Sequence, residues 1–363
     1  MNVPFLRLDS SFEEVSEIIN ASIERVLGSG EYVLGREVKK FEKELSDYIG
    51  AKFSSGVGSG LSALSLALRA CGVVPGDEVL VPSFTFIATW LAVSEIGAIP
   101  VPVDICPDSA QMDINRLERR ISKKTKAIVI VHLYGCCSDI DEILRIGREH
   151  DLSIVEDAAQ AMGTRYGKKK IGTHGADATA WSFYPGKNLG GIGDGGAVTT
   201  NDWEIDKRVK MLRNYGSTEK YVHDVKGVNS RLSPINAVVL SAKLTRLDKW
   251  NSLRRKFADL YLSGLKSDRV TPIKVLPLCD PSWHLFVVRS ECRGELKSYL
   301  AKEGIQTLVH YPIPPHRQSA YSEYKDAYLP NAEKLSSTVL SLPMGPHLTV
   351  EQVEYTVDIL NSF

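Results

Sequence analysis

Ser182-Phe183-Tyr184-Pro185-Gly186-Lys187-Asn188-Leu189-Gly190-Gly191-Ile192-Gly193-Asp194-Gly195-Gly196, preceded by Glu156-Asp157-Ala158-Ala159-Gln160, decides how this chain is read. Asp157 closes the apolar run Ser153 to Glu156, which reads as a buried strand with a carboxylate at its carboxyl end. Ser182, Tyr184 and Lys187 follow the next strand-like run, Ala178 to Phe183. In an open parallel sheet ligands bind outside the carboxyl ends of the strands, so these groups can converge on one cleft.

A carboxylate near an amine is what pyridoxal phosphate needs: an acid partner for its ring nitrogen and a lysine for its aldehyde. A phosphate cradle is also present, because Gly56 to Leu68 puts glycines at the start of a helix, whose free N–H groups and dipole favour a dianion. Each piece has a plainer reading. Asp157 can be a helix N-cap, Lys187 a solvated lysine, Phe84 and Phe86 core aromatics, and the glycines a simple turn. Their order along the chain is the argument for one cofactor site. Two glycine patterns fit a dinucleotide fingerprint literally, Gly58-x-Gly60-x-x-Ala63 and Gly191-x-Gly193-x-x-Gly196. The first follows the polar Lys52 to Ser55, a poor central parallel strand, and the second leads into a strand instead of a helix. A P-loop is excluded, since Trp181 stands where that motif needs glycine.

The chain has 363 residues, enough for one large and one small domain. Apolar residues make up 43% and charged residues 24%, as in ordinary soluble proteins. Net charge is zero, and no basic stripe argues for nucleic acid. Cys71, Cys106, Cys136, Cys137, Cys279 and Cys292 form no CxxC pair, and the eight histidines show no metal-ligand spacing. No metal site is expected. The N-terminus lacks a signal-peptide pattern, and the most apolar stretch, Val79 to Val93, is too short to span a bilayer. A cytoplasmic protein that engages no membrane is expected.

Helical periodicity marks Phe12 to Leu27, a second helix ended by Gly50 and a third from Gly60 to before Gly72. Strands are expected at Glu78 to Val81, Ala127 to Val131, Ser153 to Glu156, Ala178 to Phe183 and Ala197 to Thr200, with helices at Asp141 to His150 and Asp206 to Asn214. Such alternation implies a mostly parallel sheet covered by helices on both faces. Asn236 to Lys256 reads as one long bridging helix. Beyond it, strands at His284 to Arg289 and Thr307 to His310 and helices at Glu295 to Glu303 and Val350 to Asn361 suggest a smaller α+β unit. The boundary is placed between residues 1–250 and 251–363.

The words GDEVLVPSFTFIATWLAV, TKAIVIVHLYG, VEDAAQAMG, SFYPGKNLGGIGDGGAVTTND, LRNYGSTEKYVHDVKGVNSRLS, LDKWNSLRR and HYPIPPHRQSAY resemble, end to end, the DegT/StrS-type nucleotide-sugar aminotransferases. The resemblance implies a fold-type I architecture with a seven-stranded-type sheet, pyridoxal 5'-phosphate as cofactor, and a homodimer with shared active sites. By position, Lys187 matches the Schiff-base lysine, Asp157 the partner of the ring nitrogen and Gln160 the residue beside the phenolic oxygen. Phe86 matches the aromatic that stacks on the ring. Gly60, Leu61 and Ser182 match the phosphate donors, and Asn229 an asparagine reaching the phosphate from the neighbouring subunit. Tyr184, His310 and Tyr311 occupy sugar-binding positions, and Arg213, Lys220 and Arg231 are candidate cations for a substrate diphosphate. Ser62 and Met162 depart from the usual Asp or Ala and His of the family. A related dehydratase branch has histidine in place of the lysine, so the intact Lys187 argues for transamination.

Within the resemblance, glutamate is the expected donor and a dTDP-linked 3-keto-6-deoxyhexose the expected acceptor, for surface polysaccharide or glycoconjugate synthesis. Amination at C4 is the alternative inside the family. From other classes, an NAD-dependent sugar oxidoreductase rests on the two glycine patterns alone. A non-catalytic regulator on the same scaffold would have no need of the Lys187–Asp157 pair.

Overall fold

Apolar strands alternating with amphipathic helices build one seven-stranded sheet in the computed structural model, which describes Met1–Phe363. Its strands are β1 (Phe53–Val57), β2 (Glu78–Pro82), β3 (Ile99–Val103), β4 (Thr125–Val131), β5 (Ser153–Asp157), β6 (Ala178–Ser182) and β7 (Gly196–Thr200). Across the sheet they lie in the order β3-β2-β4-β5-β6-β7-β1. The first five are mutually parallel. β7 runs antiparallel to both β6 and β1, so the polar Lys52 to Ser55 region feeds an antiparallel edge. That agrees with its unsuitability for a central parallel position.

Burial on both faces explains why β4 reads as a continuous apolar run. Ala127, Val129 and Val131 pack into one core, while Ile128 and Ile130 enter the core on the other side, the period of two that a strand imposes. A third core forms around the antiparallel strands Thr271–Pro272, Phe286–Arg289 and Val339–Leu342. Phe257, Tyr261, Leu296, Leu300, Val353 and Leu360 from flanking helices complete it, together with Val3 from the N-terminus.

Several expected elements are corrected. The Phe12 to Leu27 helix is two helices, Asp9–Glu13 and Ser16–Ser29. Asn236 to Lys256 also divides, into Pro234–Leu244 and Leu247–Gly264, because the first ends at Thr245, whose hydroxyl bonds back to Ala242 O. Thr307 to His310 is not a strand. It makes one isolated bridge, Leu308 to Ser341. β3 and the helices Ile87–Glu95 and Pro330–Thr338 carry no clear period and were not anticipated.

The second glycine pattern is used for packing. A Cβ added to Gly191 would lie 2.1 Å from the Asn236 Oδ1, which accepts from the Ile192 N–H at 3.1 Å. The segment wraps a helix terminus closely and opens no helix of its own, so the dinucleotide reading fails there.

Arg213 is also corrected here. It is buried, pairs with the buried Glu42 and donates to Gly56 O at 2.7 Å, while the Gly56 N–H donates to Glu42 at 2.8 Å. The guanidinium therefore ties helix Arg36–Ile49 to β1 and does not face a substrate.

Candidate active site

β5 and β6 are adjacent and parallel, with Asp157 opposite Ala180, so Asp157 and Ser182 emerge together at their carboxyl ends. A cleft of about 1190 Å³ opens there. Lys187 reaches it from the turn after β6, where its own N–H donates to Tyr184 O at 2.8 Å. The next residue anchors that turn: the Asn188 amide donates to Asn251 Oδ1 at 2.9 Å and to Ser282 O at 3.0 Å.

Asp157 is not a helix cap. One carboxylate oxygen accepts from Thr89 Oγ1 at 2.8 Å, and the other from the Ala159 N–H at 3.2 Å in a short turn. Thr89 is in turn 2.9 Å from Thr85 Oγ1. Burial pushes the Asp157 carboxyl up from its ordinary value, opposed by the Thr89 and Ala159 hydrogen bonds and by the charge of Lys187. Two donors do not fill a carboxylate's four acceptor positions, so the group has room for a further cationic donor. Burial lowers the Lys187 amine to about 8, against the pull of Asp157. A lysine held there is partly neutral near physiological pH and available as a nucleophile or base.

Helix Gly60–Ala70 aims its N-terminus at the same cleft, and its first amides, those of Gly60 and Leu61, have no partner within the helix. Ser59 caps it by accepting from the Ser62 N–H at 3.1 Å. A Cβ on residue 60 would come 2.6 Å from the Cβ of Ser182, so only glycine lets the helix start and the Ser182 hydroxyl approach one point. Phe86, immediately before helix Ile87–Glu95, forms a flat exposed wall of the cleft. A dianion cradle, a flat aromatic wall, an acid and an amine are the groups that pyridoxal 5'-phosphate requires. The residues fit it.

The opposite wall comes from the third-core unit. His310 stacks on Phe5 with ring centres 5.9 Å apart, and its Nδ1 lies 2.8 Å from Ser341 Oγ. Burial and the charge of Lys187 lower the His310 pKa to about 4, so its ring is neutral. His284, 3.1 Å from Asn188 Oδ1, is held neutral by burial and by the charges of Lys187 and Arg254. Tyr311 lies 5.4 Å from Phe86 and accepts from the Gln160 amide at 2.9 Å. Tyr184 lines the mouth.

The structure thus brings together Gly60, Leu61, Phe86, Asp157, Gln160, Ser182, Tyr184, Lys187, His310 and Tyr311. Four expected residues are not among the lining of this chain's own cleft. Arg213 is spent on Glu42. Lys220 sits in an exposed hairpin, and Arg231 donates to Asn214 Oδ1 at 2.9 Å beneath Tyr215. Asn229 is exposed, held by a backbone bridge to Asn214. Thr89 and Phe5 were missed. Thr89 lies in the first turn of helix Ile87–Glu95, just after Phe86, and no local pattern shows that its hydroxyl meets Asp157. Phe5 gives no local signal, because it is positioned by Val3 pairing with Ile305 far along the chain.

Comparison with known proteins agrees with this geometry. The model of the DegT/DnrJ/EryC1/StrS aminotransferase family matches residues 13–361. The dTDP-3-amino-3,4,6-trideoxy-alpha-D-glucose transaminase of Streptomyces venezuelae is 49% identical, over 99% of this chain and 96% of the relative. The dTDP-3-amino-3,6-dideoxy-alpha-D-galactopyranose transaminase of Aneurinibacillus thermoaerophilus is 46% identical, over 99% of both chains. Among solved structures, S. venezuelae DesV in complex with a ketimine intermediate superposes with a TM-score of 0.97 at 48% identity, covering 99% of this chain and 98% of that one. The chain belongs to the DegT/DnrJ/EryC1/StrS aminotransferase family, and it is a pyridoxal-phosphate-dependent aminotransferase of fold type I.

The depressed lysine carries a stability consequence. Between about 8 and the ordinary 10.5, the folded protein binds fewer protons at Lys187 than the unfolded chain does, so stability rises with pH in that window. The cost of a charged Lys187 is fully present below the window. Cofactor-free Lys187→Met is expected to resist denaturant better than cofactor-free wild type at pH 7, with the gap narrowing toward pH 10.5. Denaturant titrations at several pH values check this, and a less stable variant at pH 7 would contradict the burial argument.

Proposed function

Starting from this family membership, we propose that the protein transfers the amino group of L-glutamate to C3 of a dTDP-linked 3-keto-6-deoxyhexose. The observation that carries the reading is Lys187, its amine lowered to about 8, beside the buried Asp157 in the one cleft that also holds the anion cradle. Position C3 is supported by the two relatives, both named as transaminases of dTDP-3-amino sugars.

When bound, the cofactor supplies an electron sink that acidifies the C–H bond beside the reacting nitrogen. Asp157, its angle fixed by Thr89 and the Ala159 amide, would hold the ring nitrogen protonated through a charge-assisted bond. Lys187 takes the proton from the substrate carbon and returns it, a role suited to an amine that titrates near neutral pH. Gly60, Leu61 and Ser182 would hold the phosphate, and Phe86 would cover the ring. Tyr184, His310 and Tyr311 surround the sugar. His284 and His310 are neutral, so neither adds positive charge beside Asp157, whereas Lys187 does.

The proposal extends to a homodimer in which Asn229, and with it Lys220 and Arg231, serve the partner's cleft. The exposure of Asn229 and its absence from its own chain's cleft support this. We divide the chain at residues 1–250 and 251–363, the third core drawing almost wholly on the second part. No helix is long and apolar enough to cross a membrane. We place the reaction in the cytoplasm, where glutamate and nucleotide sugars are made, and its product in surface polysaccharide or glycoconjugate synthesis.

Purified protein incubated with glutamate and, separately, with 3-keto and 4-keto dTDP-6-deoxyhexoses is expected to aminate the 3-keto sugar. Lys187→Ala should be inactive while folding normally. Product at C4 alone would move the assignment, and an active Lys187→Ala would end it.

Subunit sharing has its own test. Mixing inactive Lys187→Ala with inactive Asn229→Ala should restore activity, since a heterodimer places both lesions in one cleft and leaves the other intact at these positions. No recovery despite demonstrated subunit exchange would mean that each site is built from one chain.

A further inference from the structure

The segment Val131-His132-Leu133-Tyr134-Gly135 lies directly against Asp157 and Gln160. The His132 N–H donates to Asp157 O at 3.1 Å, continuing the β4–β5 pairing past the end of the strands. Leu133 to Cys136 then reverses direction, with Cys136 N–H donating to Leu133 O at 3.0 Å. Both central residues are left-handed, Tyr134 at φ +64° and Gly135 at φ +85°. A turn of that kind favours asparagine or glycine at its first central position, and a bulky side chain there is disfavoured. Tyrosine in such a place is an outlier that points toward a task.

Its contacts show what the conformation achieves. The left-handed turn directs the Tyr134 N–H at Gln160, donating to Oε1 at 2.7 Å. The side chain, fully buried, extends the other way and its hydroxyl donates to His310 O. One residue therefore touches the large-sheet side of the cleft through its backbone and the opposite wall through its side chain. A main-chain N–H can only donate, so the oxygen of the Gln160 amide must face Tyr134. The amide nitrogen is thereby turned to Tyr311, where it donates at 2.9 Å, and keeps a second hydrogen for the cleft. Flipped, the amide would set donor against donor at a nearly buried site, which costs the full penalty of an unmade bond.

We propose that Tyr134 is a positioning residue: its backbone N–H fixes Gln160 as a hydrogen-bond donor toward the cofactor's phenolic oxygen, and its hydroxyl fixes the His310-Tyr311 wall against which the sugar binds. The inference rests on the proposed aminotransferase reading for the identity of the group that Gln160 meets. A donor at that oxygen favours its ionised form, whereas an acceptor there would favour the protonated form.

Two variants separate the two contacts. Tyr134→Phe removes only the hydroxyl. The visible band of the bound cofactor and its pH titration should stay as in wild type, while KM for the keto-sugar rises roughly three- to tenfold, the loss of one hydrogen bond. Gln160→Glu keeps the acceptor that Tyr134 needs and replaces the donor by an acceptor. Its bound-cofactor band should titrate at distinctly higher pH than in wild type. An unchanged KM in Tyr134→Phe, or an unshifted titration in Gln160→Glu, overturns the corresponding half. A shifted titration in Tyr134→Phe would overturn the assignment of Gln160 orientation to the backbone. If wild-type protein binds pyridoxal 5'-phosphate without any visible band, the functional reading itself fails, a result distinct from these.

Discussion

A buried carboxylate facing a buried amine is the constraint on which the site depends. Asp157 and Lys187 are each disfavoured by burial, and each is eased by the other's charge. What makes them tolerable is local: Thr89 and the Ala159 amide on the acid, and the Asn188 anchor that sets the lysine's turn. The sheet order puts β5 and β6 side by side so that both groups open into the same cleft. Membership of the aminotransferase family gives that arrangement its chemistry.

Much of the fold was legible because both sheet faces are buried. β4 and β5 announce themselves as short apolar runs, and helix Val350–Asn361 announces itself by its period, each with ends close to those expected. The bridging helix was overextended because Leu240, Leu244, Leu247 and Asn251 keep a helical spacing straight through the break at Thr245. Periodicity reports which face is buried and says nothing about a change of axis. Thr307 to His310 looks like a strand because it is apolar and extended, but only Leu308 finds a ladder partner. Its neighbours His310 and Tyr311 are turned to the cleft instead.

Of the site, the residues carried on strand ends and helix starts were readable, since those positions follow from the topology. One of the candidate cations was not. Arg213 looked available in sequence, but a buried Glu42, 171 residues earlier, claims it. Tyr134 gives no sequence signal, because no one-dimensional pattern shows that a tyrosine will take a left-handed conformation to reach two walls at once. Long-range hydrogen bonds of this kind carry no local signature.

The account stands most directly on the charge of Asp157. Replacing it with asparagine keeps shape and the Thr89 contact but cannot hold the ring nitrogen protonated. With loss of a charge-assisted bond worth about 1.5–3 kcal/mol, kcat for transamination should fall roughly ten- to a hundredfold while the cofactor stays bound through Lys187. Measuring kcat and cofactor content of Asp157→Asn together decides the matter. A low rate with full cofactor content is the predicted result, and a wild-type rate would mean that the buried acid takes no part in the reaction.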